Sequence, residues 1–186
     1  IFGTEAYFIP SISEWREEYE RALADKKRAK TLGSELSGAT VEDENSSKKI
    51  QSVLRRRRHL ILLAQNQVGL QNIFKLISES YKSENFYRYP RMDYDLLAKY
   101  SEGVIAASAC LGGVYSGNYW ENREAGDEAV LEAMRETTRK MMSIFGDRWY
   151  GELQWNNVPE QHAINKFIIQ MHKEFGIKLI STADSH

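Results

Sequence analysis

Gly103-Val104-Ile105-Ala106-Ala107-Ser108-Ala109-Cys110, running directly into Leu111-Gly112-Gly113, is the stretch on which the fold turns. Its small and branched apolar residues follow one another, as in a buried strand, and the run ends on a thiol. Upstream, His59-Leu60-Ile61-Leu62-Leu63-Ala64 has the same character. Further out lie three more runs, Ile1 to Ile9, Trp149 to Gln154 and Ile177 to Ala183. Helical spacing fills the gaps, over about Glu14 to Leu32, Asn66 to Tyr81, Asp95 to Tyr100, Ala125 to Phe145 and Pro159 to Phe175. Gly146 and Gly176 stand where helices stop, and Pro159 where one starts. Gly33 to Ser47 reads as a solvated linker, and Phe86 to Tyr94 as an aromatic loop. Five strands alternating with helices predict an α/β fold with a parallel sheet, open or closed into a barrel.

Composition narrows the function classes. The 186 residues, 42% hydrophobic and 11% aromatic with 3 prolines, suffice for a packed core and exclude disorder or low-complexity repeats. No run reaches the roughly 18 apolar residues of a membrane span. One cysteine excludes an internal disulfide framework and fits a reducing, cytoplasmic setting. A net charge of -1 excludes a basic coat over the whole surface. A local patch is still present, since Ser11 to Arg58 holds 12 basic against 9 acidic residues. The chain opens at Ile1 inside one apolar run and closes at His186 just after another. The expectation is therefore an internal piece of a longer protein.

Polar groups at strand ends are where α/β sheets place their chemistry. Asp184 and His186 sit two residues apart and, in an extended segment, project to one side. Carboxylate oxygen and imidazole nitrogen together suit zinc, manganese or iron, or else form a salt-linked pair. Glu5 lies mid-strand, and either has a partner or marks a half-solvated edge. His59 behind the arginines is a ligand or a packed cap. Cys110 is a ligand or a small buried hydrophobe. His162 and His172 fall on a helix without an acidic partner at ligand spacing, and read as surface or packing residues. Arg55-Arg56-Arg57-Arg58 is a solvated helix face or a phosphate contact. Phe86-Tyr87-Arg88-Tyr89-Pro90-Arg91 is a packed loop, or a surface on which bases stack.

Read in order, several of these pieces are familiar. They are Gly3-Thr4-Glu5, the His59 to Ala64 run with Asn66 and Gly69, Pro90-Arg91-Met92-Asp93, and the long stretch Tyr100 to Gly113. Phe145 to Gln154, Pro159-Glu160-Gln161 and Thr182 to His186 follow. Together they resemble the PHP (polymerase and histidinol phosphatase) domain at the N-terminus of bacterial DNA polymerase III alpha subunits. The resemblance covers Ile1 to Ile9 and His59 to His186. Residues 11–58 depart from it as a charged helical insertion within a partial domain spanning 1–186.

The resemblance implies an incomplete PHP-type (β/α)7 barrel, with five of seven strands present and two upstream of Ile1. Those two carry a His-x-His pair, an acidic residue and a further histidine in the family. It implies up to three divalent ions, zinc or manganese, held at the matching positions Glu5, His59, Cys110, Asp184 and His186. Asp184, His186 and His59 are then the catalytic positions, Glu152 supports them from behind, and Arg58 or Arg91 meets a substrate phosphate. The activity implied is metal-dependent 3′–5′ exonucleolytic hydrolysis within a DNA polymerase. DNA, the rest of the polymerase chain and other replisome subunits are the implied partners. The alternatives are a silent structural module bracing the polymerase and a free-standing PHP phosphoesterase. An incomplete barrel also predicts unpaired edges on the Ile1 to Ile9 strand and on the last strand.

Overall fold

The computed structural model describes residues 1–35 and 41–183. In chain order the elements are β1 (Gly3–Phe8), α1 (Ile12–Glu35), α2 (Val41–Arg55), β2 (Arg58–Ala64), α3 (Gln67–Ser80), β3 (Phe86–Tyr87), β4 (Tyr89–Met92) and α4 (Tyr94–Lys99). Then come β5 (Val104–Ala107), α5 (Val114–Asn122), α6 (Asp127–Phe145), β6 (Trp149–Gln154), α7 (Pro159–Phe175) and β7 (Lys178–Thr182). Local chemistry sets several of these boundaries. The Asn66 side chain accepts from the Gly69 N–H at the start of α3, and Asp93 does the same for α4 through the Leu96 N–H. Pro159 opens α7, and Gly176 closes it in the left-handed region at φ 69°.

The strands lie in the order β3-β4-β1-β2-β5-β6-β7, two-residue β3 forming a hairpin with β4 at one edge. Helices cover one face of the sheet. Between them lies the main core, built on Phe8, Leu60, Leu62, Val104, Trp149, Met134 and Ile164. The other face carries the alternate residues Glu5, Tyr7, His59, Ile61, Tyr150 and Glu152. A second, smaller core of Ile9, Ile12, Trp15, Ala22, Ile50, Val53 and Leu54 lies between α1 and α2.

Three kinds of expectation need correction: strand direction, the position of β1, and the loops. The sheet is mixed, because β2 runs antiparallel to both β1 and β5, while β1–β4, β5–β6 and β6–β7 are parallel. The registers Phe8↔Arg58 and Ala64↔Val104 give the reason: both connections leave and return at the same end of the sheet. Among the described residues the strands form one row from β3 to β7. Strand β1 is no edge, for it pairs with β2 along its whole length and with β4 at Tyr7 and Phe8; β7 does lie at an edge. Residues 41–47 of the expected linker are helical, the Phe86 to Tyr94 loop holds a hairpin, and α5 occupies an expected loop.

Close approach decides one contact at the end of β2 and β5 away from His59. A Cβ on Gly69 would sit 1.8 Å from the Gly103 carbonyl oxygen, and Gly103 itself adopts φ +68°. Glycine at both positions lets α3 seat directly on the turn that launches β5.

Candidate metal centre

Period-two alternation brings the first donors together. In the β1–β2 ladder Tyr7 lies opposite His59, so Glu5, two residues earlier on the same face, is the diagonal neighbour of His59. Glu5 Oε1 stands 3.0 Å from His59 Nδ1. The His59 ring also packs on the Tyr7 ring, with centroids 5.6 Å apart.

Cys110 enters from the loop after β5. Its Sγ lies 3.4 Å from His59 Nδ1 and accepts from the Gly112 N–H at 3.4 Å. The loop is tied down at both ends. The His59 N–H donates to the Gly112 carbonyl at 2.8 Å, and the Cys110 carbonyl accepts from the Gly113 N–H and from Ser116 Oγ, each at 2.8 Å.

Glu152 acts from behind. This buried carboxylate accepts from the Ala109 N–H at 2.8 Å through Oε2 and from Thr182 Oγ1 at 2.7 Å through Oε1. The Glu152 N–H in turn donates to Ser108 Oγ at 2.8 Å. Ala109 lies at φ 59°, a region costly for any residue with a Cβ, so the clamp from β6 holds the turn that presents Cys110.

The chemistry of the three donors is interdependent. An imidazole Nδ1 has one hydrogen position. It donates to Glu5 in one tautomer and accepts from the Cys110 thiol in the other. Carboxylate, imidazole and thiolate are the donor types that suit zinc, so the set fits such an ion in kind. Among the described residues, however, no group of three or more His, Cys, Asp or Glu side chains is arranged to hold a metal ion. Asp184 and His186 lie outside the described residues; β7 ends at Thr182, hydrogen-bonded to Glu152.

The two arginines assigned to substrate phosphate are engaged elsewhere. Arg58 ion-pairs with Glu121 and lies across α5 at Gly117, where a Cβ would collide with its side chain. Arg91 has 0% exposure; it donates to the carbonyls of Leu54, Arg56, Tyr87 and Tyr89, and its guanidinium lies 4.3 Å from the Trp15 ring centre. Burial pushes its pKa down to about 10, with the nearby Arg57 charge adding to the effect. Arg91 therefore fastens the α1–α2 pair to the β3–β4 hairpin. Arg57 belongs to the run read as a helix face or a phosphate contact, and alternation, which the run alone does not show, places it on the face of His59; Tyr7, not singled out in the sequence, shares that face. His172 packs locally as expected, its Nδ1 donating to the Ile177 carbonyl at 2.7 Å.

Among the described residues no helix is long and apolar enough to cross a membrane. Comparison with known proteins gives consistent relatives. The PHP domain family matches residues 1–156. The chain is 45% identical over 130 residues to the DNA polymerase III subunit alpha of Aquifex aeolicus, covering 69% of this chain and 10% of that protein. It is 39% identical over 128 residues to that of Borreliella burgdorferi, covering 69% and 10%. For Helicobacter pylori strain J99 the figures are 37% over 148 residues, covering 77% and 12%. The chain spans about a tenth of the length of these relatives. With Glu5, His59 and the Cys110 loop all inside the matched region, the chain belongs to the PHP domain family and is homologous to part of the DNA polymerase III alpha subunits.

Proposed function

We propose that this chain is the PHP portion of a replicative DNA polymerase alpha subunit, and that its strand-end corner supports metal-dependent hydrolysis of DNA phosphodiesters from a 3′ end. The carrying observation is that Glu5, His59 and Cys110, from three separate parts of the chain, meet around one imidazole nitrogen. Asp184 and His186 complete the proposed ligand set with zinc or manganese. Bound divalent ions supply an activated water and offset charge on the phosphoryl oxygens. The chain's own part is to hold the ligands. Glu152 fixes the turn bearing Cys110, and the Gly112 carbonyl fixes the backbone of His59. DNA and the remainder of a polymerase chain are the partners this reading entails.

A second reading has its own support. His59 Nδ1 has a protein partner in either tautomer, Glu5 in one and Cys110 in the other, so the corner serves as a structural brace without an ion. Elemental analysis of the full chain, with and without His59→Ala, separates the two. The first reading expects bound zinc or manganese in the parent, at least about tenfold less retained by the variant, and parallel loss of release from 3′-labelled single-stranded DNA. A parent without metal, or a variant with undiminished metal, overturns it in favour of the brace.

A further inference from the structure

Four consecutive arginines end in four settings. Arg55 is exposed at the end of α2, Arg56 pairs with Glu18 through bonds of 2.6 and 3.0 Å, and Arg58 pairs with Glu121. Arg57 is different. It is half-buried, on the side of the sheet to which His59 points. Its guanidinium carbon lies 4.1 Å from the centre of the Tyr89 ring and 5.1 Å from that of Tyr7, the ring that packs on His59.

Among the described residues no carboxylate forms an ion pair with Arg57. Its hydrogen bonding is equally sparse: Nη1 donates to the Arg55 carbonyl at 3.1 Å, while Nε is screened from solvent and has no hydrogen-bond partner among the described residues. A guanidinium offers five N–H donors in a fixed plane. The neighbouring cation is Arg91, itself buried, and among the described residues the direct contacts of the two guanidinium groups are carbonyls and ring faces. An anion with paired oxygens is what such a fork lacks.

We propose that Arg57 is the phosphate-receiving group of this corner, its planar fork donating to two non-bridging oxygens beside Glu5, His59 and Cys110. The choice of a phosphoester over a carboxylate rests on the hydrolytic reading above; the vacant donors do not. Tyr7 and Tyr89 hold the plane of the fork in advance, so little side-chain freedom is lost when the anion arrives.

Calorimetric titration of the full chain with inorganic phosphate tests this, comparing the parent with Arg57→Gln, Arg57→Lys and Arg56→Gln. Arg57→Gln is expected to weaken binding at least about tenfold, and Arg56→Gln to leave it within about twofold. Arg57→Lys keeps a cation over the rings without the fork, so it covers the case in which glutamine disturbs the fold. Its affinity is expected several-fold below the parent. No measurable binding to the parent, unchanged binding in Arg57→Gln, equal weakening in Arg56→Gln, or full affinity in Arg57→Lys would each overturn the assignment. Metal content measured on the same samples keeps the two claims apart. A parent that binds phosphate through Arg57 but carries no metal refutes the hydrolytic reading and leaves the anion subsite standing.

Discussion

Ala109 is held at φ 59° by a single buried acceptor, and that makes Glu152 the residue on which the geometry of Cys110 depends. Its two oxygens serve two donors, the Ala109 N–H and Thr182 Oγ1, while its own N–H is fixed by Ser108. Leucine keeps roughly the volume of the side chain but offers neither the Ala109 N–H nor Thr182 an acceptor. Glu152→Leu is therefore expected to cost about 1–3 kcal/mol, the range for leaving a buried polar group unpaired. Relaxation of the turn should also raise the rate at which Cys110 reacts with a disulfide reagent. Denaturant melts and thiol kinetics check both, and a reaction rate equal to the parent's removes Glu152 from this role. Much of this was readable in advance at the residue scale. Glu5 and His59 on strands and Cys110 just beyond one stand where motif order picks them out, and Glu152 was expected to point toward them. Arg57 was legible only as one of four arginines and Tyr7 not at all, because their placement comes from cross-strand pairing, which a single chain does not display.

Helices α6 and α7 are joined across their outer faces by one ionic cluster. Arg135 on α6 bonds Glu174 on α7 at 2.8 and 3.1 Å and also reaches Glu128. The hydrogen bonds from Arg135, then that from Gln170, hold the Glu174 carboxyl down to about 2. A carboxyl whose pKa falls on folding stabilises the protein above its unfolded value and loses that effect as pH falls through the folded value. The melting advantage of the parent over Glu174→Gln should thus be present at neutral pH and shrink as pH falls from about 4.5 to about 2. Added salt should reduce it, since the cluster meets solvent. An advantage independent of pH would show that the two helices are held by packing alone. The existence of these helices was legible because their signals are local: Asn66 and Asp93 cap, Pro159 opens, Gly176 closes. Strand direction was not. A connection of nearly fifty residues containing helices suits a parallel crossover, yet α1 and α2 return the chain to its starting end. The β3–β4 hairpin is too short for any period to register.

At the scale of the molecule, that return explains how the α1–α2 pair belongs to the fold. Phe8 and Arg58 are ladder partners, so everything between them is an excursion from two strands that already meet. The excursion has its own small core and touches the sheet's corner through three bonds of a specific kind: Arg91 to the Leu54 and Arg56 carbonyls, and the Ile12 N–H to Asp93. Replacing residues 13–54 by a turn of about four residues should therefore leave the β1–β2 ladder and the main core able to form. The replacement also removes the Leu54 carbonyl, one of the four that accept from Arg91, which costs about 1–3 kcal/mol. Combined with Arg91→Met, the shortened chain is expected to melt in one cooperative transition with reduced helical circular dichroism. Without that substitution it should be markedly less stable. Non-cooperative melting of the double variant would mean that the main core is not independent of α1 and α2. A cooperative one would mean that the corner carrying Glu5, His59 and Cys110 is built by the sheet, with the helical pair placed over it as a lid on Arg91 rather than as part of the frame.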